Sequence, residues 1–357
     1  MTSTAAPKHG AIEKPRVEYL ARHVPEDVIE PDLEIIDAHH HLWHRKGDAG
    51  AHGAPDNRYL LEDFVADAET IDNLTATVFV ECAAMYRAGG DPNFRPVGEV
   101  EFAAGMAAMS ESGNYGPTRV AAAIVGHANL TLGARVAPIL EAELAAGGGR
   151  LRSIRHSAGW SADPSIRSHA TGTGPGVYRG AEFREGVRRL SAHGLTFDAQ
   201  LFFDQVDDLV DLAMAVPDAS IVLGHCGTPL GGGRLAGREA EVFSQWKAGM
   251  SRLAECENVR LKLGGMTIRL GAFDFRTLER PPTSEELANL WKAYVQTSIE
   301  LFGADRCMFE SNFPVEKMGV SYRVLWNAFK RMAAHASRDE KAQLFSGTAR
   351  RFYRLEA

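Results

Sequence analysis

Residues 195–226 read LTFDAQLFFDQVDDLVDLAMAVPDASIVLGHC. LTFDAQLF (195–202) and SIVLGHC (220–226) are short apolar runs bounded by polar residues, the pattern of buried strands. Between them VDDLVDLAMAV (206–216) repeats its apolar residues at helical spacing, and Asp204 precedes it as a capping or first-turn charge. A strand, a helix and a second strand in succession form one β/α/β unit, which pairs its strands in parallel.

Outward from this stretch the same alternation covers nearly the whole chain. Strand-like runs recur at LEIIDAHHH (33–41), TATVFVEC (75–82), RVAAAIVGHA (119–128), LRSIRHS (151–157), NVRLKLGG (258–265) and RCMFESNF (306–313). Amphipathic segments such as VGEVEFAAGMAAMSES, FREGVRRLSAH and TSEELANLWKAYVQTSIELF separate them, the last opening on Thr283-Ser284 as a helix start. Eight strands in alternation with helices over about 320 residues suit one closed (β/α)8 TIM barrel better than two open sheets. SYRVLWNAFKRMA and RDEKAQLFSGTARRFYRL then add C-terminal helices, residues 33–357 form the barrel, and residues 1–32 are an irregular N-terminal extension.

Composition narrows the function. The 357 residues are 45% hydrophobic and 24% charged, as in globular proteins rather than disordered or coiled-coil chains. A net charge of −7 repels nucleic acid and anionic membrane faces on average, so the expected partner is a small molecule. Cys82, Cys226, Cys256 and Cys307 are widely spaced and form no CxxC pair, which fits buried thiols in a reducing compartment. No run approaches a membrane span, and the first thirty residues lack the apolar core of a signal peptide, so a cytoplasmic enzyme is expected. The oligomeric state stays open.

The longest irregular stretches, Arg45–Arg58, Tyr86–Pro96, Ala158–Gly176, Thr228–Arg238 and Leu270–Thr283, each follow a strand. Loops after strands build the carboxyl-terminal face of such a barrel, where its active sites lie. The glycines of GTPLGGGRLAGRE (227–239) are out of register for a dinucleotide loop and read more simply as a mobile loop carrying Arg234 and Arg238.

Strand alternation places Asp37, His39 and His41 on one side of the first strand and His40 on the other. Imidazoles at i and i+2 can converge on a metal ion or a substrate oxygen; the structural alternative is polar crowding at a strand mouth, or a histidine packed on Trp43. The motifs DAHHHLW (37–43), VLGHCGTP (222–229), LKLGG (261–265) and MFESNFPVEK (308–317) resemble those of the amidohydrolase superfamily, in the branch of sugar-acid lactonases and 2-pyrone-4,6-dicarboxylate lactonase.

That resemblance, covering roughly residues 33–355, implies a metal or substrate site at His39, His41 and His225. Strand four carries Arg155 and His156 where a bridging lysine would stand, which argues against a carbamate-bridged pair of ions. On strand eight Ser311-Asn312-Phe313-Pro314 replaces SDFP or SDWP, and the neutral Asn312 cannot take a proton from water as an aspartate can. Glu310, two residues earlier on the same side, is the candidate carboxylate, or else a buried partner of Lys262 or Arg155. Glu81 is a third carboxylate, with a rim ion pair to Arg87 as its alternative.

The resemblance to dicarboxylate lactonases makes Arg155 the expected receptor for a substrate carboxylate, against an ordinary ion pair. Lys262 could polarise a carbonyl or sit in an internal salt bridge, and Trp43 and Trp160 could line the substrate pocket or simply pack loops. His127 and His156 are more ordinary as packing residues. The reading is a hydrolase of a cyclic ester or similar activated carbonyl, its substrate bearing a carboxylate. It uses His39, His41, His225, Glu310 and Asn312 with one divalent ion, zinc or manganese, or without metal. The alternatives are a lyase, decarboxylase or hydratase, for which Asn312 speaks modestly, and a barrel that only binds a ligand.

Overall fold

The computed structural model describes residues 12–45, 57–168, 174–267 and 278–356. Its centre is one sheet of eight parallel strands, β1 (Ile35–His40), β2 (Leu74–Val80), β3 (Arg119–Gly126), β4 (Leu151–Ser157), β5 (Thr196–Gln200), β6 (Ile221–Leu223), β7 (Val259–Leu263) and β8 (Cys307–Phe309). Each strand pairs with the next in chain order and overlaps a run read as a strand from the sequence. Helices α1 (Leu61–Ala68), α2 (Val97–Glu111), α3 (Ala137–Ala146), α4 (Ala181–Ala192), α5 (Val206–Ala215), α6 (Glu239–Ala254) and α7 (Ser284–Phe302) connect them, and α8 (Tyr322–Met332) follows β8. The expected start of α7 is a capping box: Thr283 Oγ1 accepts from Glu286 N, and Glu286 Oε2 accepts from Thr283 N.

The barrel interior is layered. Ile36, Ala38, Ala76, Val78, Ala123, Val125, Val222 and Met308 pack together with Phe352, Tyr353 and Leu355 of the C-terminal segment, which plugs one end. Above this apolar floor Asp198 accepts from Lys262 Nζ (2.7 Å), Tyr353 OH (2.8 Å) and Ser153 Oγ (2.6 Å). A buried carboxylate and ammonium in the barrel thus satisfy each other, as low-dielectric surroundings demand.

One detail of β1 departs from simple alternation. Asp37 pairs with Thr77 and His40 with Phe79, so β1 advances three residues where β2 advances two. Such a bulge shifts the phase of every side chain beyond it. Ile36 and Ala38 face inward below it and His39 and His41 face inward above it, while Asp37 points outward, away from His39, correcting the expectation from the sequence.

Asp37 instead fastens the seam where β8 returns to β1. It accepts from Ser311 N (2.9 Å), Ser311 Oγ (2.5 Å), Tyr322 OH (2.9 Å) and His39 N (3.1 Å). The backbones complete the closure, with Asn312 N donating to His39 O at 2.8 Å and His41 N to Phe313 O at 2.7 Å. Asp37→Ala strands several buried donors, and is expected to cost about 3 kcal/mol in urea unfolding while Asp37→Asn costs less.

Beyond β1, Trp43–Arg45 pairs antiparallel with Asn57–Tyr59, giving order to the ends of a stretch read as irregular. Residues 46–56, 169–173 and 268–277 of the expected loops lie outside the described residues, as do residues 1–11 of the N-terminal extension. Among the described residues no helix is long and apolar enough to cross a membrane.

Candidate active site

Three imidazoles meet at the carboxyl-terminal mouth of the barrel. The His39 ring centroid lies 4.8 Å from that of His41 and 4.8 Å from that of His225, and all three residues are buried. Glu310 lies between two of them. His225 Nδ1 donates to its Oε1 at 2.7 Å, His225 backbone N donates to the same oxygen at 2.7 Å, and His39 Nδ1 lies 2.7 Å from Oε2. His41 Nδ1 donates to the Val80 carbonyl at 2.7 Å.

An acceptor at each Nδ1 keeps the proton there and leaves the lone pair on Nε2. Burial drives His39 and His41 well below the usual imidazole range, so both are neutral. Burial alone would push Glu310 up, but His225 and His39 hold it well below the usual carboxylate range. The site at neutral pH is an ionised carboxylate behind the neutral rings of His39 and His41.

Backbone shape makes this possible. His225 and Cys226 take φ of +56° and +50°, turning the His225 N–H toward Glu310. Gly265, at φ +64°, runs so close that a Cβ would lie 2.0 Å from His225 Nδ1, which explains the last glycine of LKLGG.

Arg155 reaches the same point from β4. Its Nε donates to Glu81 Oε1 at 2.7 Å, its Nη2 donates to the Glu81 carbonyl, and its Nη1 lies 3.4 Å from His39 Nε2. Glu81 therefore pairs with Arg155, whereas Arg87 pairs with Glu101. Lys262 is held by Asp198 on the layer beneath. Asn312 donates from Nδ2 to Glu316 Oε1 at 3.2 Å.

Trp43 stacks beside His41, with ring centroids 6.0 Å apart, donates from Nε1 to Asn57 Oδ1 and carries the Arg45 guanidinium over its ring at 4.5 Å. Trp160 instead lines a cavity of about 500 Å³ with Arg179, Asp204 and Arg234, on the loops after β4, β5 and β6, and Asp208 in the first turn of α5. His127 Nδ1 bonds the Arg155 carbonyl, and His156 Nδ1 accepts from Leu130 N.

The sequence reading missed three buried carboxylates. Glu99 on α2 accepts the N–H groups of Cys82 and Ala84, each at 2.9 Å, and burial with the nearby Glu81 charge pushes it up to about 8. Burial raises Glu143 on α3 as well. Glu316 is the third; its only signal in the sequence was its place four residues after Asn312 in FPVEK.

The donor set also fits a divalent ion. His39 Nε2 and His41 Nε2 stand 3.2 Å apart, and two lone pairs facing each other at this distance call for a proton or cation between them. The separation matches two ligands of one ion with bonds of about 2.0–2.1 Å. Donor atoms of His39, His225 and Glu310 also lie within 4.8 Å of one another. Imidazoles whose other nitrogen is tied to a carboxylate or carbonyl are the usual ligands of such ions.

Fold and site together define a hydrolase built on a (β/α)8 barrel. The chain belongs to the amidohydrolase family Amidohydro_2, whose model matches residues 36–355. It is 32% identical over 337 residues to the uncharacterized protein y4mH of Sinorhizobium fredii, covering 91% of this chain and 99% of that one. It is 28% identical over 331 residues to an L-fucono-1,5-lactonase of Burkholderia multivorans, covering 90% and 96% of the two chains. A crystal structure of a Burkholderia multivorans amidohydrolase with bound zinc superposes with a TM-score of 0.66 at 27% identity, over 90% of this chain and 100% of that one.

Proposed function

We propose that the protein hydrolyses a lactone of a small, carboxylate-bearing molecule. The observation that carries this reading is the set of clustered imidazoles with their Nδ1 protons committed elsewhere, so that the Nε2 lone pairs of His39 and His41 converge beside one guanidinium. The 28% identity to an L-fucono-1,5-lactonase along nearly the full chain supports the substrate class.

In this mechanism His41, fixed by Val80, accepts a proton from water through Nε2 as the water oxygen bonds to the ester carbonyl carbon. Arg155 Nη1 faces the developing oxyanion, its remaining charge balanced by Glu81, and Glu310 holds His39 and His225 with their protons on Nδ1. The ring C–O bond then breaks, and the proton on His41 passes to the departing alkoxide. A divalent ion, zinc or manganese, held by His39, His41 and His225 would occupy the His41 lone pair, and in place of that base would supply the Lewis acidity that acidifies water and polarises the carbonyl. Asn312 orients water in this scheme and does not deprotonate it.

The test is hydrolysis of sugar-acid lactones in water enriched in oxygen-18. One label is expected in the product carboxylate, whereas turnover without label would assign a lyase. Metal analysis before and after dialysis against a chelator addresses the ion separately: rate and metal are expected to fall in proportion, and full activity in metal-free protein would remove the ion from the scheme.

A further inference from the structure

Glu316 lies in the turn after β8, fully buried, and the mechanism above does not use it. Its Oε2 accepts the backbone N–H of Thr267 at 2.9 Å, just beyond β7, and its Oε1 accepts Nδ2 of Asn312 at 3.2 Å. The backbone of Asn312 is pinned at φ +53°, with its N–H on the His39 carbonyl. Its neighbours face outward: Ser311 bonds Asp37, and Phe313 packs on Tyr322 with ring centroids 4.9 Å apart. Asn312 therefore faces the barrel axis one layer above Glu310.

A side-chain amide has one donating end and one accepting end. With Nδ2 bound to Glu316, Oδ1 is the end left toward the mouth, and it accepts no hydrogen bond among the described residues. We infer that Glu316 is a positioning residue that sets the polarity of Asn312, making position 312 present an oxygen acceptor to the reacting centre. For its rate readout this rests on the hydrolase reading, in which the acceptor orients the O–H of the attacking water. Burial, with the negative charge of Glu310 adding to it, raises Glu316 to about 7 against the hydrogen bonds from Thr267 and Asn312. An assay at about pH 8.5 therefore keeps it an acceptor at both oxygens.

Glu316→Gln keeps the shape and inverts the polarity. The Thr267 N–H claims the one acceptor of the introduced amide, so its NH2 group faces Asn312. Asn312 must then turn its Oδ1 to that donor and its Nδ2 to the mouth. We expect kcat to fall about tenfold or more with KM little changed. Asn312→Asp alone sets a carboxylate against Glu316 and lowers both kcat and Tm. In the double variant the introduced amide donates to one oxygen of the aspartate while the other faces the centre. We expect kcat within about threefold of the parent and the Tm loss reversed, a strongly non-additive cycle.

A merely structural Glu316 predicts additive losses, and additivity in both rate and Tm would overturn the inference. The unfolding cycle requires no substrate. Coupling in Tm without turnover of any lactone would sink the lactonase reading alone, while turnover without coupling would sink this one. Should Asn312→Asp fail to fold by itself, recovery of folding in the double variant is the supporting result, and failure of both overturns the proposal.

Discussion

Glu310→Gln is expected to lower kcat/KM by about 10³- to 10⁴-fold with the fold retained, the size of effect seen when a catalytic histidine is left in the wrong tautomer. The reason is the symmetry of the carboxylate, which presents an acceptor to both His225 Nδ1 and His39 Nδ1 at 2.7 Å. A glutamine offers one. The His225 backbone N–H and Nδ1–H, which share Oε1, would claim that oxygen. The amide NH2 would then confront His39 Nδ1, and His39 must move its proton to Nε2 to accept from it. That proton faces His41 Nε2 across 3.2 Å and removes the lone pair from the point where the chemistry occurs. Nitrogen-15 shifts of the His39 ring report the tautomer directly. A rate within tenfold of the parent, or an unchanged His39 tautomer, would mean that Glu310 does not organise the site. Bound divalent metal should fall with the rate, since the same lone pair would be a ligand.

This arrangement was only partly legible in the sequence, and the limits are physical. The barrel was legible because its strands are buried on both faces and spaced by helices, so local pattern and global architecture agree. His39, His41 and Glu310 were legible because strand period places them at a mouth, and His225 because VLGHCGTP, at the end of a strand-like run, resembles a motif of the family. Asp37 was misread because the β1 bulge is a property of strand pairing, which local sequence does not encode. Arg155 read as a substrate receptor because a guanidinium invites a carboxylate; the sequence does not say that Glu81, distant in the chain, reaches it first. Glu316 gave no signal beyond its spacing from Asn312, for a related reason. Its role depends on a backbone amide of Thr267 from another strand's loop.

The Arg155–Glu81 pair separates stability from chemistry. Both side chains are buried; burial would raise Glu81, but the Arg155 charge and hydrogen bond, with His127 and the Ala83 N–H adding to them, hold it below the usual carboxylate range. Arg155→Met leaves a buried carboxylate with no counter-charge, which is expected to destabilise the fold by about 3–5 kcal/mol above neutral pH. The sign with pH follows from the orphaned group. Burial then raises Glu81 above its unfolded value, so the folded state binds the extra proton, and the variant is most stable at low pH and loses stability as pH rises. The parent contribution of Glu81 has the opposite sense, present above the unfolded carboxylate range and lost on acidification. Adding Glu81→Leu to Arg155→Met removes the stranded charge and should restore most of the stability at pH 8 in urea unfolding. Activity should not return, because Arg155 Nη1, 3.4 Å from His39 Nε2, is the cation nearest the developing oxyanion. A stable double variant with parental kcat would show that Arg155 serves only to neutralise Glu81, and the oxyanion would then have to be met by the imidazoles or by an ion.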